Sequence, residues 1–141
     1  MTVEISTGAA STGWLKVDIA GNATAVANQL GQVLNPEGVL LQIVDAYIYV
    51  TVAAAAAATL DIGITTTGLD STNMCSALAI NAAAPYVKKI IGSSIASESA
   101  LTGGQNGILW PATSYLSIYN PAAQASTLFR ASLFLEYVRL A

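Results

Sequence analysis

Apolar and polar positions alternate with a period of two through much of this chain, most clearly from Val44 to Val52. In Val44-Asp45-Ala46-Tyr47-Ile48-Tyr49-Val50-Thr51-Val52 the even positions are apolar and the odd ones are Asp, Tyr, Tyr and Thr. That is the pattern of a half-buried strand. Leu60, Ile62 and Ile64 repeat it against Thr59, Asp61, Gly63 and Thr65. Six alanines, Ala53 to Ala58, separate the two segments. Alanine favours helix, but six residues between strands are too few for a stable one, so the run predicts a hairpin tip. The expected hairpin pairs Val50 with Ile62, Val52 with Leu60 and Ile48 with Ile64, which puts all six apolar residues on one face. In this register Tyr49 covers Gly63, an aromatic ring shielding a strand glycine.

Further strands follow from the same reading. Trp14 to Ile19 alternates with Leu15, Val17 and Ile19 inward, and Gly21-Asn22 ends it. The segment Ala23 to Leu34 carries Val26, Leu30 and Val33 at helical spacing, yet Val33 and Leu34 also suit a short strand, so it reads as irregular. Asn35-Pro36-Glu37-Gly38 is a turn, with Pro setting φ and Gly at the last position. Thr66 to Ser71 reads as a loop. Asp70 or Ser71 could cap a short helix through Met74, Leu78 and Ala79, whereas Ala77 to Ile80 also fits a strand.

Residues Asn81 to Gly107 read as loop interrupted by one strand at Tyr86 to Ile91, and Asn106-Gly107 closes a turn signal beginning at Gly103. Ile108-Leu109-Trp110 is confined to an edge or an end by Pro111. Tyr115 to Tyr119 alternates and stops at Asn120-Pro121. Thr127 to Leu140 predicts a long strand, with Phe129, Ala131, Leu133, Leu135 and Tyr137 on one face and Arg130, Ser132, an exposed Phe134 and Glu136 on the other. Five or more strands, Gly/Pro/Asn turns and no helix–strand alternation define an all-β chain. The expected architecture is an antiparallel β-sandwich, with a jelly-roll-like winding among its options. Residues 1–13, rich in Ser, Thr, Gly and Ala, predict a loose N-terminal arm before a single domain over 14–141.

Composition changes this picture in one respect. Only 9% of residues are charged and 54% are hydrophobic, so the chain has too little charge to cover its own surface. Its exterior must be small and polar, or hidden against other subunits, and a homo-oligomer is expected. The net charge of −3 and a single adjacent basic pair, Lys88-Lys89, argue against nucleic acid as a partner. A membrane span is rejected despite a mean hydropathy of +0.58, because Ala46 to Leu60 is 15 residues between two aspartates, short of the ~20 a spanning helix needs. The amino terminus lacks the basic start and apolar core of a signal peptide, so export by that route is not expected.

The same sequence offers little chemistry. Histidine is absent, which removes the commonest general base and metal ligand and every His-dependent triad. In the hairpin register Asp61 faces Thr51, six residues from Asp45, which places the two carboxylates about 20 Å apart, too far for a glycosidic pair. Cys75 is the single cysteine, so it has no intrachain disulfide partner and is expected to be a small buried hydrophobe. No phosphate-cradling glycine loop or dinucleotide fingerprint occurs, and the eight acids are scattered rather than grouped for calcium. No catalytic, cofactor-binding or metal-binding residue is therefore nominated, no cofactor is expected, and the chain is read as a non-enzyme. Trp14, Trp110 and the tyrosines could form a sugar-stacking platform, with core or interface packing as the plainer reading.

The stretches Val44-Asp45-Ala46-Tyr47-Ile48-Tyr49-Val50, Ala57-Ala58-Thr59-Leu60-Asp61-Ile62-Gly63 and Trp110-Pro111-Ala112-Thr113-Ser114-Tyr115-Leu116 together resemble small virion proteins of tailed bacteriophages, of the kind that decorate or cement capsids. The resemblance implies an all-β, often trimeric subunit, a homotrimer bound to the major capsid protein on the capsid exterior and made in the host cytoplasm. It carries no catalytic residues. A carbohydrate-binding β-sandwich module and another phage structural subunit, of tail tube or filament, are the alternatives.

Overall fold

The structure, a computed structural model, describes residues 1–5, 12–22, 28–90, 108–121 and 125–140. Among the described residues ten strands are present: β1 Val3–Ile5, β2 Thr12–Ala20, β3 Asn28–Leu34, β4 Leu41–Val52, β5 Thr59–Thr65, β6 Cys75–Ala79, β7 Tyr86–Lys89, β8 Ile108–Trp110, β9 Tyr115–Asn120 and β10 Arg130–Arg139. They form two antiparallel sheets. Sheet A has the order β1-β2-β10-β4-β7, with β8 pairing beside β7 on the same strand β4, and sheet B has the order β3-β9-β5-β6. Along the chain β2, β4, β7, β8 and β10 fall in sheet A and β3, β5, β6 and β9 in sheet B. These two strand orders are the double Greek key of a jelly roll, so the all-β sandwich expected from the alternation is the observed fold.

The expected hairpin between β4 and β5 does not form. β4 lies in sheet A between β10 and β7/β8, whereas β5 lies in sheet B between β9 and β6. Ile48, Val50, Leu60, Ile62 and Ile64 are all buried, but they reach one core from opposite sheets. Alternation fixes which side of a strand is dry, and two dry sides can meet face to face across a sandwich as well as side by side within a sheet. Val52, expected inward, is exposed, and Tyr49 lies across from Ser132 and Val87 rather than Gly63. The alanine run is a crossover between sheets instead of a tip. Ala54 and Ala55 donate to the carbonyls of Ile80 and Thr127, and Ile80 donates to the carbonyl of Ala58. Ala54 and Ala58 are buried in the crossing, where a larger side chain would hold the backbone away from these partners.

Aromatic shielding of a strand glycine does occur, at a different pair. Tyr137 on β10 lies opposite Gly13 on β2, and a Cβ at Gly13 would fall 2.7 Å from the tyrosine ring. The Tyr137 hydroxyl donates to Glu37 Oε1 at 3.1 Å, and Arg139 makes a two-point pair with the same carboxylate, Nε to Oε2 at 2.6 Å and Nη2 to Oε1 at 3.0 Å. The predicted Asn35–Gly38 turn is what holds Glu37 there. Asn35 is buried, accepts from the Glu37 and Gly38 amides and donates to the Val39, Trp110 and Pro111 carbonyls, while Gly38 takes φ +67.

Other expectations shift by element. Asn28 to Leu34, read as irregular, is strand β3; residues 23–27 lie outside the described residues. No helix follows Asp70 or Ser71, and Cys75–Ala79 is strand β6 instead. The strand at Tyr86 ends at Lys89, with Ile90 buried after it, and the Gly103–Gly107 turn lies outside the described residues, as do residues 6–11 of the amino-terminal segment. Val3–Ile5 pairs along β2 and makes the edge of sheet A. β10 is as read: Phe129, Ala131, Leu133, Leu135 and Tyr137 face the core and Phe134 does not. Its position between β2 and β4 makes it the spine of sheet A.

Candidate functional site

The outer faces of the two sheets are built from the same alternation and finish differently. On sheet B, register aligns Gln29, Tyr119 and Asp61 in one row and Gln32, Ser117 and Gly63 in the next. These are short or polar side chains, and the β5–β6 connection folds down over them. Ser71 Oγ and Asn73 Nδ2 donate to the Ile64 carbonyl, Asn73 Oδ1 accepts from the Ile64 amide at 2.7 Å, and Met74 donates to the Ile62 carbonyl. Gln29 donates to the Gly68 carbonyl at the far side of the connection, where Gly68 takes φ +74. Gly63 is what permits this cover, since a Cβ there would sit 2.5 Å from both Asn73 Oδ1 and Ser71 Oγ. Under it Ser117 is 0% and Asp61 5% exposed, and Asp61 Oδ1 accepts from the Ala77 amide at 2.8 Å.

On sheet A nothing among the described residues covers the outer face. The row Glu4, Lys16, Phe134, Tyr47, Lys89 crosses five strands, and Trp14, Glu136 and Asp45 form the row beside it. Trp14 is 47%, Phe134 39%, Tyr47 38% and Tyr49 39% exposed, with Val87 beyond them at 60%. Trp14, Asp45, Tyr47, Phe134, Leu135 and Glu136 line an open depression of about 290 Å³.

Polar groups in this face are partly spent on one another. The Tyr47 hydroxyl donates to Asp45 Oδ2 at 2.9 Å, and Lys89 Nζ stands 3.7 Å from Asp45 Oδ1 and 5.8 Å from the centre of the Tyr47 ring. The hydrogen bond to Asp45, followed by that carboxylate's charge, holds the Tyr47 hydroxyl above its usual range, and Glu136 adds to the effect. Lys16 is 3.6 Å from Asp18, whose carboxyl is held low chiefly by the Ser132 hydroxyl donating at 2.6 Å.

The structure separates most of the residues singled out in the sequence. Asp45 points out of sheet A while Asp61 lies beneath the cover of sheet B, so the strand distance that set them apart does not apply. They stand on the two sides of a core about 10 Å thick. A neighbour that sequence reasoning missed is Asp70, whose carboxyl is pushed up by burial and by the Asp61 charge. Cys75 is buried, as expected of a small hydrophobe. Trp110 belongs to the core, donating its indole N–H to the Ser114 carbonyl at 3.0 Å, and only Trp14 is available to a surface platform. Among the described residues no group of three or more acidic or cysteine side chains could hold a metal ion, and no helix is long and apolar enough to cross a membrane.

The fold and this face define a jelly-roll β-sandwich with one roofed sheet and one that no described residue covers. No family model matches the chain, and no curated protein does. A solved structure described as "Cyanophage Pam1 capsid asymmetric unit" is similar over 97% of this chain and 84% of that one, at 17% identity and a TM-score of 0.48.

Proposed function

We propose that this chain is a structural virion subunit, in its most specific form a capsid decoration protein, that works without catalysis by burying the outer face of sheet A against a neighbouring subunit. The observation that carries the reading is the contiguous exposure of Trp14, Tyr47, Tyr49, Val87 and Phe134 on that face, in a chain whose charge is too sparse to solvate its exterior. Partners on this reading are copies of the chain itself, as a trimer, and the major capsid protein on the head exterior. Electron microscopy of particles with and without the purified chain tests it. Added density on the outer surface of the head supports decoration, density within the tail makes it a tail subunit, and no association with particles overturns the virion role.

The exposed aromatics also favour a second reading, a glycan-binding module in which Trp14, Phe134 and Tyr47 stack on sugar rings. Soluble oligosaccharides that saturably quench tryptophan emission would support it, and the assembly reading expects no such quenching.

A further inference from the structure

The depression on sheet A has a charge pattern that specifies more than an apolar contact. Asp45 and Glu136 are direct cross-strand partners, an arrangement of like charges that destabilises a sheet unless a cation answers it. Lys89 answers Asp45. Glu136 is exposed and, among the described residues, has no ion pair. Among the described residues, the Asp45 and Glu136 carboxylates with Lys89 beside them leave the depression one negative charge over, and its remaining walls are Leu135 and the rings of Trp14, Phe134 and Tyr47. Aromatic faces beside a carboxylate attract organic cations, through the ring quadrupole and the charge together. The molecule already shows this chemistry, with Lys89 placed over the Tyr47 ring and against Asp45, and Arg139 over the Tyr137 ring and against Glu37.

We infer that the Trp14–Phe134–Glu136 side of the depression is a binding site for an ammonium or guanidinium side chain, presented by the neighbouring subunit that covers sheet A. The source of the cation rests on the assembly reading, whereas the site itself is a property of the isolated chain. A cationic side chain entering here restores the charge balance and lays its methylene stem on the indole. It also gives a largely apolar face one charged point that fixes the orientation of its partner.

The test is a two-dimensional NMR titration of the isolated chain with N-acetyl-lysine amide, N-acetyl-arginine amide, the uncharged N-acetyl-norleucine amide and maltose. The Trp14 indole N–H reports on the site, and the Trp110 indole N–H, bonded inside the core, is the internal reference. The expected result is a saturable shift of Trp14 alone with either cation by about 100 mM, a concentration that nearly fills a site of ~10 mM dissociation constant. Glu136→Gln should weaken binding roughly three- to fivefold, and norleucine amide should not saturate. Saturation by norleucine amide equal to that by the cations, saturation by maltose alone, or a Trp14 signal that does not move each overturns the inference. Such a failure removes the cation and leaves burial of sheet A in assemblies to be judged separately.

Discussion

Sheets A and B present outer faces that a period of two makes equally regular, yet one is covered by its own chain and the other is bare among the described residues. The roof over sheet B needs Gly63 to admit it and Ser71 and Asn73 to bond it down, and the strands beneath carry Ser117, Asp61 and Gln32. Sheet A has large rings at the corresponding positions and, among the described residues, no such connection. An intramolecular cover satisfies polar groups with short, numerous hydrogen bonds, whereas exposed rings gain only when something apolar reaches them from outside. On the proposed function, the difference gives stability to one face and assembly to the other.

The largest effect expected is on the covered face. Gly63→Val places atoms where Asn73 and Ser71 now stand, so the connection must lift, and a loss of about 3 kcal/mol in urea unfolding is expected. Asp61→Ala comes next, at about 1–2 kcal/mol, because the Ala77 amide loses its buried acceptor. Loss of less than about 0.3 kcal/mol in both would mean that the roof is ornamental. On the open face Tyr49→Ser should change the stability of the isolated chain by no more than about 0.5 kcal/mol while weakening self-association, read by sedimentation. Association that persists unchanged would take Tyr49 out of the interface.

Titration sharpens the contrast within the molecule. Asp70 is held protonated to higher pH than an ordinary aspartate, so its contribution to stability is full below about pH 3.8 and is lost as pH rises through its raised value. Asp70→Asn should therefore stabilise the chain at pH 7 and be nearly neutral at pH 3. Glu37, lowered chiefly by the hydrogen bond from Arg139, runs the other way: its contribution is present above pH 4.5 and lost as pH falls through the lowered value. Tyr137 is pushed up to about 12, chiefly by burial, so stability should also decline as pH rises from about 10 towards 12. Urea midpoints of Glu37→Gln and Asp70→Asn across pH 3 to 7 check the two opposite slopes, and parallel curves would contradict both.

How much of this was legible in the sequence depends on the range of the interaction concerned. The dry side of β10 follows from alternation alone, and so does the outward aim of Phe134 and Tyr47, because side-chain direction is a local property of a strand. Strand pairing is not local, and the same alternation in β4 and β5 suited a hairpin as well as two facing sheets. The alanine run that joins them has no side chain large enough to declare which. Convergence of Trp14, Phe134, Tyr47 and Glu136 was hidden for the same reason. It requires β10 to lie between β2 and β4, strands more than 75 residues away along the chain. The roof on sheet B left a trace in Gly63, which shields nothing from Tyr49 but clears space for Asn73 and Ser71.

Apolar burial on sheet A should also resist salt. Exposed ion pairs contribute about 0–1 kcal/mol each and are screened, since the Debye length falls from ~10 Å at 0.1 M to ~3 Å at 1 M. Assemblies should accordingly survive that rise, and steep release would mark an electrostatic interface.

Acrylamide quenching of tryptophan emission, compared between the isolated chain and the assembled protein, is the most direct measurement of whether sheet A is the buried face. Trp110 is inaccessible in both states, so all the change belongs to Trp14. Burial of sheet A predicts that the quenchable component present in the isolated chain disappears on assembly and returns in a Phe134→Lys variant. Trp14 emission that stays as quenchable in the assembly as in the isolated chain would contradict it.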